Sequence, residues 1–257
     1  MFRTTVSNER NGPRRRLPPE VLTDAEVCAL MRACSRHAPT GVRNRALITL
    51  LYRAGLRISE ALSLYPKDLE LADGSVRVLN GKGGRSRTVG PDPGAAAIIE
   101  RWLEARSRCL AMSFSRCHYV TPSDEKSPSG PHRDSVLVHQ PVDLLESPSG
   151  GHADSALSRR TFGRQPVFCT LRGNPMAAAY VRVMLKRLAA RAGIDKRVHA
   201  HGLHHTHAAQ LRAEDVDIAI ISHQLGHSSI TTTARYLDHI APTAVIEAMR
   251  RRCWTGA

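Results

Sequence analysis

The chain has 257 residues, of which 42% are hydrophobic and 23% charged, so most of it is expected to fold around a core large enough for one or two domains. Lysine and arginine number 37 against 23 acidic residues, and the formal charge of +14 with a pI near 10.3 indicates a polyanionic partner, nucleic acid rather than an anionic membrane. The sequence contains no apolar run of the ~20 residues that span a bilayer, no secretory signal and no C-x-x-C pair, which disfavours a membrane protein, a secreted disulfide-rich protein and a zinc finger.

Hydrophobic periodicity predicts a mainly α-helical fold with a small antiparallel β-sheet. Thr23 and Glu26 form the pattern of a capping box, which marks the start of the first helix. Alternation over 75–79 and 86–89 predicts a β-hairpin whose glycine-rich turn carries Lys82 at its tip. The predicted helices cover approximately 24–36, 42–53, 59–64, 94–108, 175–192, 202–213, 216–225 and 242–253. Asn174 is expected to cap the helix over 175–192. A further helix, which carries Tyr236, is expected to begin with Ser229 as its cap.

Three segments fall outside this periodic pattern. Residues 1–19 are rich in arginine and form a basic arm, which either contacts DNA or is a solvated terminus. Residues 110–165 are rich in Ser, Pro, Gly, His and Arg, and we expect a largely disordered surface insertion there. Residues 251–257 are interpreted as a C-terminal tail, and the six cysteines as thiols of a reducing cytosol.

Two basic residues lie where the backbone turns. Arg57, in AGLRISEAL, falls between a helix end and a helix start, and its guanidinium offers a planar fork to two phosphate oxygens. The alternative is a surface ion pair with Glu60. Lys82 lies between glycines, where it can reach a phosphate or donate a proton, or else is simply a solvated turn lysine.

Histidines and a tyrosine complete the set of candidate residues. His201 and His205 are spaced i,i+4, which suits one metal ion, but no H-E-x-x-H motif and no nearby cysteine accompany them, so no metal is predicted. The run LGHSSITTTARYLDH contains His227 and Tyr236. Tyr236 either packs its ring against the protein or presents its hydroxyl to solvent.

Together, these segments resemble the tyrosine recombinase (phage integrase) family, whose pattern is Arg, Lys, His-x-x-Arg, His or Trp, then Tyr. The match covers about residues 20–108 and 167–250, and it implies a catalytic domain over 20–250 that contains the insertion. The matching residues are Arg57 in AGLRISEAL, Lys82 in LNGKGGRSRTV, His201 and His204 in HGLHHTHA, His227 in LGHSSI and Tyr236 in TTTARYLDH.

The resemblance implies a specific chemistry. Tyr236 would attack a DNA phosphodiester to form a 3′-phosphotyrosine and release a 5′-hydroxyl, without ATP. Arg57 would stabilise the phosphate charge, Lys82 would protonate the leaving oxygen, His201 would assist proton transfer at the tyrosine, and His227 would hydrogen-bond the phosphate. The resemblance further implies double-stranded DNA as substrate, no metal or cofactor, a tetramer on two recombination sites, accessory DNA-binding proteins and a cytoplasmic, nucleoid-associated location.

Three features depart from the family pattern. His204 stands where the family has its second arginine, so an impaired enzyme is expected. Only about twenty residues precede the first catalytic helix, where family members carry a core-binding domain. The insertion at 110–165 is the third departure, and a tolerated surface loop is favoured there over a functional one.

The predicted function is therefore site-specific DNA recombination, with a catalytically inactive DNA-binding remnant as the main alternative. A histidine-rich metal-binding regulator and a type IB topoisomerase are the further alternatives.

Overall fold

The computed structural model describes residues 21–79, 81, 84–117, 163–227, 229–240 and 249–250, and within them the fold is mainly helical with a three-stranded antiparallel sheet, as predicted. The elements are α1 (Asp24–Arg32), α2 (Pro39–Arg53), α3 (Ile58–Leu62), a 3₁₀ turn (Pro66–Asp68), β1 (Leu69–Glu70), β2 (Ser75–Val78), β3 (Arg87–Val89), α4 (Pro93–Cys117), α5 (Ala178–Arg191), α6 (Ala200–Ala213), α7 (Ile218–Leu225) and α8 (Ile230–Ile240). The predicted features that lie outside the described residues are the arm at 1–19, Lys82, residues 118–162 of the insertion, most of the helix at 242–253 and the tail at 251–257.

Residues at their N-termini determine where the first two helices begin. The predicted capping box is confirmed: the Thr23 hydroxyl accepts a hydrogen bond from the Glu26 amide at 3.2 Å, and the Glu26 carboxylate accepts one from the Thr23 amide at 2.7 Å. Helix α2 begins at Pro39, earlier than predicted, because the fixed φ of proline suits the first helical turn and its missing N–H costs nothing there.

The predicted hairpin is confirmed, and a third strand joins it. Strands β2 and β3 pair with Val76 opposite Val89, and β1 adds to the outer edge of β2 with Leu69 opposite Val76. Strand β1 has two residues, which is too short for an alternating pattern to reveal it.

Helix α4 is longer than predicted. It continues from Pro93 to Cys117, so residues 110–117, which were predicted to be part of the insertion, belong to a helix. Leu110 is buried in this extension. The segment that contains Val167 packs back on α4, since the Trp102 indole N–H donates to the carbonyl of Val167 at 2.9 Å.

The predicted start of the next helix is wrong. Asn174 does not cap a helix: its carbonyl accepts a hydrogen bond from the Thr170 amide at 2.7 Å, and Pro175 forms a β-bridge with Cys169. Helix α5 begins only at Ala178. The predicted end is confirmed, because Gly193 has the positive φ of +67° that terminates helices.

Helix α2 lies at the centre of the fold and packs against α4 and α6. The main core contains the fully buried side chains of Leu47, Leu50, Trp102 and Phe168. A smaller apolar cluster joins α6, α7 and α8 through Ala208, Ile221, Leu225 and Leu237. None of the helices in the described parts of the chain is long and apolar enough to cross a membrane.

Candidate functional site

A left-handed turn after α2 places Arg57. Helix α2 ends at Arg53, and Gly55 adopts a φ of +63°, which turns the chain toward the start of α3. A Cβ atom on Gly55 would lie 2.6 Å from the ring of His207, so both the conformation and the space require glycine. The Arg57 amide then donates to a carboxylate oxygen of Glu60 at 2.8 Å, and this bond fixes the first turn of α3.

One buried carboxylate holds two guanidinium groups, and we call Arg57, Glu60 and Arg87 the guanidinium cluster. Arg57 Nη1 donates to Glu60 Oε1 at 2.9 Å, and Arg87 donates to both Glu60 oxygens at 2.9 Å. The Glu60 side chain is 1% exposed, that of Arg87 7% and that of Arg57 22%. The predicted alternative, an ion pair between Arg57 and Glu60, is therefore present, with a buried carboxylate and an Arg57 side chain that stays partly exposed.

The guanidinium cluster carries an excess of positive charge. Burial raises the pKa of Glu60, but hydrogen bonds from Arg87 and from the Arg57 amide outweigh burial, and the pKa lies below its ordinary value. The carboxylate is therefore ionised at neutral pH, and it offsets only one of the two guanidinium charges.

Helix α6 brings its histidines against this cluster. The His204 ring is 1% exposed, and its Nδ1 donates to the carbonyl of Gly55 at 2.6 Å. His201 stacks on His204 with ring centroids 5.8 Å apart, and it meets His205 edge to face at 4.2 Å. Among the described residues, no group of three or more His, Cys, Asp or Glu side chains is arranged to hold a metal ion.

The histidines of α6 are neutral at physiological pH. Burial, followed by the charge of Arg57, holds the pKa of His204 well below its usual range. Burial also lowers the pKa of His205 to about 3 and that of His207 to about 4. The pKa of His201 is lowered too, by burial and by the charges of His199 and Arg57. Position 204 therefore supplies no positive charge at pH 7.

The turn between α7 and α8 adds His227. Gly226 ends α7 with a φ of +64°, and its carbonyl accepts a hydrogen bond from Arg57 Nη2 at 3.3 Å. His227 lies next in the chain, with its ring centroid 6.2 Å from that of His204. His227 Nδ1 shares a hydrogen bond of 2.8 Å with the hydroxyl of Thr233, which is fully buried on α8.

Helix α8 carries Tyr236, three residues after Thr233. The predicted role of Ser229 is confirmed, because its hydroxyl accepts a hydrogen bond from the Thr231 amide at 3.2 Å at the helix start. The structure thus brings Arg57, His201, His204 and His227 together and ties the helix of Tyr236 to His227. Lys82 and the side chain of Tyr236 lie outside the described part of the structure.

Sequence reasoning missed Arg87. In the predicted return strand, Arg87 lies two residues before Val89 and therefore on the same face, and Val89 is 1% exposed. An arginine on the buried face of a strand requires a buried anion, so this register was the signal that could have revealed that Arg87 needs a carboxylate partner.

Gly226 offers a direct test of how closely this turn packs. Replacing it by alanine is expected to lower the free energy of unfolding by about 2 kcal/mol, because the new Cβ combines left-handed strain with a contact to the Arg87 guanidinium. That Cβ would lie 2.7 Å from Arg87 Cζ. Urea unfolding measures the change.

Gly193→Ala is the matched control for this substitution. Gly193 has a similar φ of +67° but no atom within 4 Å of the added Cβ, so only the strain of about 1 kcal/mol is expected. Equal losses in the two variants would mean that the contact with Arg87 contributes nothing.

The sequence of this chain matches a known family. A sequence model of the phage integrase family matches residues 20–241. Tyrosine recombinase XerD of Ralstonia nicotianae is 30% identical over 236 residues, covering 92% of this chain and 60% of the relative. Tyrosine recombinase XerC of Xylella fastidiosa is 31% identical over 218 residues, covering 85% of this chain and 55% of the relative. The chain thus spans 55% to 60% of the length of these curated relatives.

Solved structures share the fold. The crystal structure of XerA recombinase superposes with a TM-score of 0.60 at 22% identity, covering 93% of this chain and 67% of that one. XerH site-specific recombinase, bound to a palindromic difH substrate in a post-cleavage complex, gives a TM-score of 0.58 at 23% identity, covering 91% and 54%. Because the family model matches residues 20–241, which is most of the chain, this protein belongs to the phage integrase family.

Proposed function

We propose that this chain is a site-specific tyrosine recombinase that cuts and rejoins double-stranded DNA through a covalent 3′-phosphotyrosine. The observation that carries the proposal is the convergence of Arg57, His201 and His227, together with the bond from His227 to Thr233 on the helix of Tyr236. Cationic and hydrogen-bonding groups thus adjoin the element that bears a hydroxyl nucleophile.

In the proposed reaction, the Tyr236 oxygen attacks the scissile phosphorus. A bond from phosphorus to the tyrosine oxygen forms as the bond to the 5′-oxygen breaks, and Lys82 donates the proton that the leaving 5′-oxygen takes up. His201, whose ring is neutral at physiological pH, takes up the proton that the tyrosine hydroxyl releases. Because the phosphodiester is exchanged rather than hydrolysed, rejoining needs no ATP.

Arg57 and His227 would bind the phosphate in this reaction. Glu60 fixes one edge of the Arg57 guanidinium, and the side chain remains 22% exposed, so it can donate to a phosphate oxygen without reorganising. His227 follows Gly226, whose carbonyl already binds Arg57, and this proximity supports a shared role at one phosphate.

DNA is the proposed partner, since a formal charge of +14 suits a polyanion and the structural neighbour XerH is bound to its difH substrate.

The proposed assembly is a tetramer on two recombination sites with accessory DNA-binding proteins, acting in the cytoplasm on the nucleoid. The proposed organisation is a catalytic domain over 20–250 with a basic arm at 1–19, the insertion, and a tail at 251–257.

His204 favours a second candidate, a DNA-binding remnant that no longer cleaves. Its ring is buried and neutral and bonds the Gly55 carbonyl, so the site lacks the second guanidinium of the family pattern. Such a protein would still bind DNA through its basic surface.

Covalent capture separates the two candidates. Sheared DNA from the source genome is incubated with the protein, and complexes that survive detergent are recovered and sequenced. We expect a DNA adduct at a defined site in the wild-type protein and none with Tyr236→Phe, which keeps the ring but has no nucleophile. Retained binding without any wild-type adduct would identify the remnant instead.

A further inference from the structure

We infer that Gln224 is a positioning residue of the proposed cleavage site. Its hydrogen bonds hold the end of β3 and the turn that carries His227 in place beside the guanidinium cluster. The inference rests on the proposed function and names a residue that touches none of the reacting atoms.

The side-chain amide of Gln224 joins two distant backbone segments. Its Nε2 donates to the carbonyl of Ala54 at 3.2 Å and to the carbonyl of Gly90 at 3.2 Å, while its Oε1 accepts from the amide of Gly90 at 3.3 Å. Both polar backbone groups of Gly90 are therefore bound by one side chain, as a neighbouring strand would bind them. Ala54 caps α2 three residues before Arg57, and Gly90 directly follows β3.

The main chain of Gln224 also holds the cluster. Its carbonyl accepts a hydrogen bond from Arg87 Nε at 3.2 Å, and the other two nitrogens of that guanidinium bind Glu60. Arg87 is thus fixed on two sides, by Glu60 of α3 and by the C-terminal turn of α7. Any shift of that turn moves Arg87 and, through Glu60, the guanidinium of Arg57.

The turn held by Gln224 leads directly into the site. Gly226 follows two residues later and binds Arg57, and His227 follows three residues later. Gln224 consequently sets the distance between His227, Arg57 and the hairpin strand β3, which lie on three separate parts of the chain. A displacement of about 1 Å by a residue remote from the chemistry can lower a rate by about 10²-fold.

Only an amide satisfies these partners. The two carbonyls need two donors and the Gly90 amide needs one acceptor, and a primary amide supplies both. Leucine fills a similar volume with no polar group. Glutamate has the same shape as glutamine, but when ionised it places a second acceptor against the Ala54 and Gly90 carbonyls.

The test compares Gln224→Leu and Gln224→Glu with Gln210→Leu. Gln210 is a half-buried glutamine of α6 whose amide contacts Asp24, so this control changes the same chemistry away from the cluster. For each protein, three quantities are measured: the rate of covalent adduct formation, the Kd for the same DNA, and hydrogen exchange at the Gly90 amide.

Both Gln224 variants are expected to form the adduct about 10- to 100-fold more slowly with an unchanged Kd, and to exchange the Gly90 amide faster. The Gln210 variant should match the wild type in all three measurements. Using glutamate beside leucine separates the loss of the amide donors from a change in packing, because glutamate keeps the shape.

An adduct rate that stays at the wild-type value in both Gln224 variants would overturn this inference alone. So would a fall in DNA affinity that fully accounts for the slower adduct formation. The absence of any wild-type adduct would instead overturn the proposed function, and this inference with it.

Discussion

Arginine in place of His204 is expected to raise the rate of covalent adduct formation by about 10²–10³-fold, the factor by which removing one donor to a developing oxyanion lowers a rate. The neutral imidazole cannot form the bidentate contact that a guanidinium makes with phosphate. Position 204 suits such a contact, because the centroid of the His204 ring lies 5.8 Å from that of His201 and 6.2 Å from that of His227. The rate is measured with a nicked DNA substrate that traps the adduct.

Two further substitutions at position 204 isolate the role of the charge. His204→Lys restores a cation without the planar fork and should give an intermediate rate, whereas His204→Gln is neutral and should not exceed the wild type. Equal rates for arginine and histidine would mean that position 204 does not limit cleavage. Thermal unfolding of each variant shows whether loss of the bond to the Gly55 carbonyl has altered the fold instead.

Lowering the pH should not give His204 the positive charge that an arginine would supply. Burial and the charge of Arg57 hold the pKa of His204 well below its ordinary 6.5, so the ring stays neutral as the pH falls from 8 to about 6. The ratio of the His204→Arg rate to the wild-type rate is therefore expected to remain constant over that range. A ratio that shrinks toward pH 6 would indicate that His204 becomes protonated.

Local signals in the sequence predicted local structure well. Thr23 with Glu26 predicted the start of α1, and the helix predicted over 216–225 ends at Leu225 as expected, because in both cases the deciding residues lie within a few positions of each other. Asn174 and Pro175 carried an equally good local signal and misled. The bridge of Pro175 with Cys169 extends the chain there, and pairing between segments outweighs a helix-start preference.

In the candidate site, too, the sequence predicted some features and missed the contacts between distant segments. The motifs predicted which residues of the turn before α3, of α6 and of the α7–α8 turn come together, because the family pattern identifies them in order. The supporting contacts join residues far apart in sequence, such as Arg87 with Glu60, separated by 27 positions, and Gln224 with Gly90, separated by 134. Periodicity within one element can place Arg87 on a buried face, but it does not identify a partner this far away in the sequence, and the fold alone identifies the partners.

Glu60→Ala is expected to lower the free energy of unfolding by about 3–5 kcal/mol, the cost of removing one partner from a buried ion pair. The substitution leaves Arg87, whose side chain is 7% exposed, without its counter-charge. Because Arg57 is 22% exposed and regains some hydration, the lower end of that range is expected. Urea unfolding measures the change.

Glu70→Ala is the control for this loss. Glu70 pairs with Arg77 at 4.0 Å, with side chains 58% and 51% exposed, so its removal should cost less than about 1 kcal/mol. Similar losses from the two substitutions would show that burial adds nothing to the Glu60 pair.

The contribution of Glu60 should also disappear in acid. Burial raises the pKa of its carboxyl, but the hydrogen bonds from Arg87 and from the Arg57 amide lower that pKa by more than burial raises it. The pKa of Glu60 therefore lies below the ordinary 4.5. A carboxyl with a lowered pKa in the folded state stabilises the fold above its unfolded pKa, and that stabilisation is lost as the pH falls through the folded value. The difference in unfolding free energy between wild type and Glu60→Gln is therefore expected to be constant from pH 7 to about pH 5 and to shrink below about pH 4.5. A difference that persists undiminished far below that pH would mean that glutamine fails for reasons of shape, and that the charge of Glu60 is not what holds the two guanidinium groups.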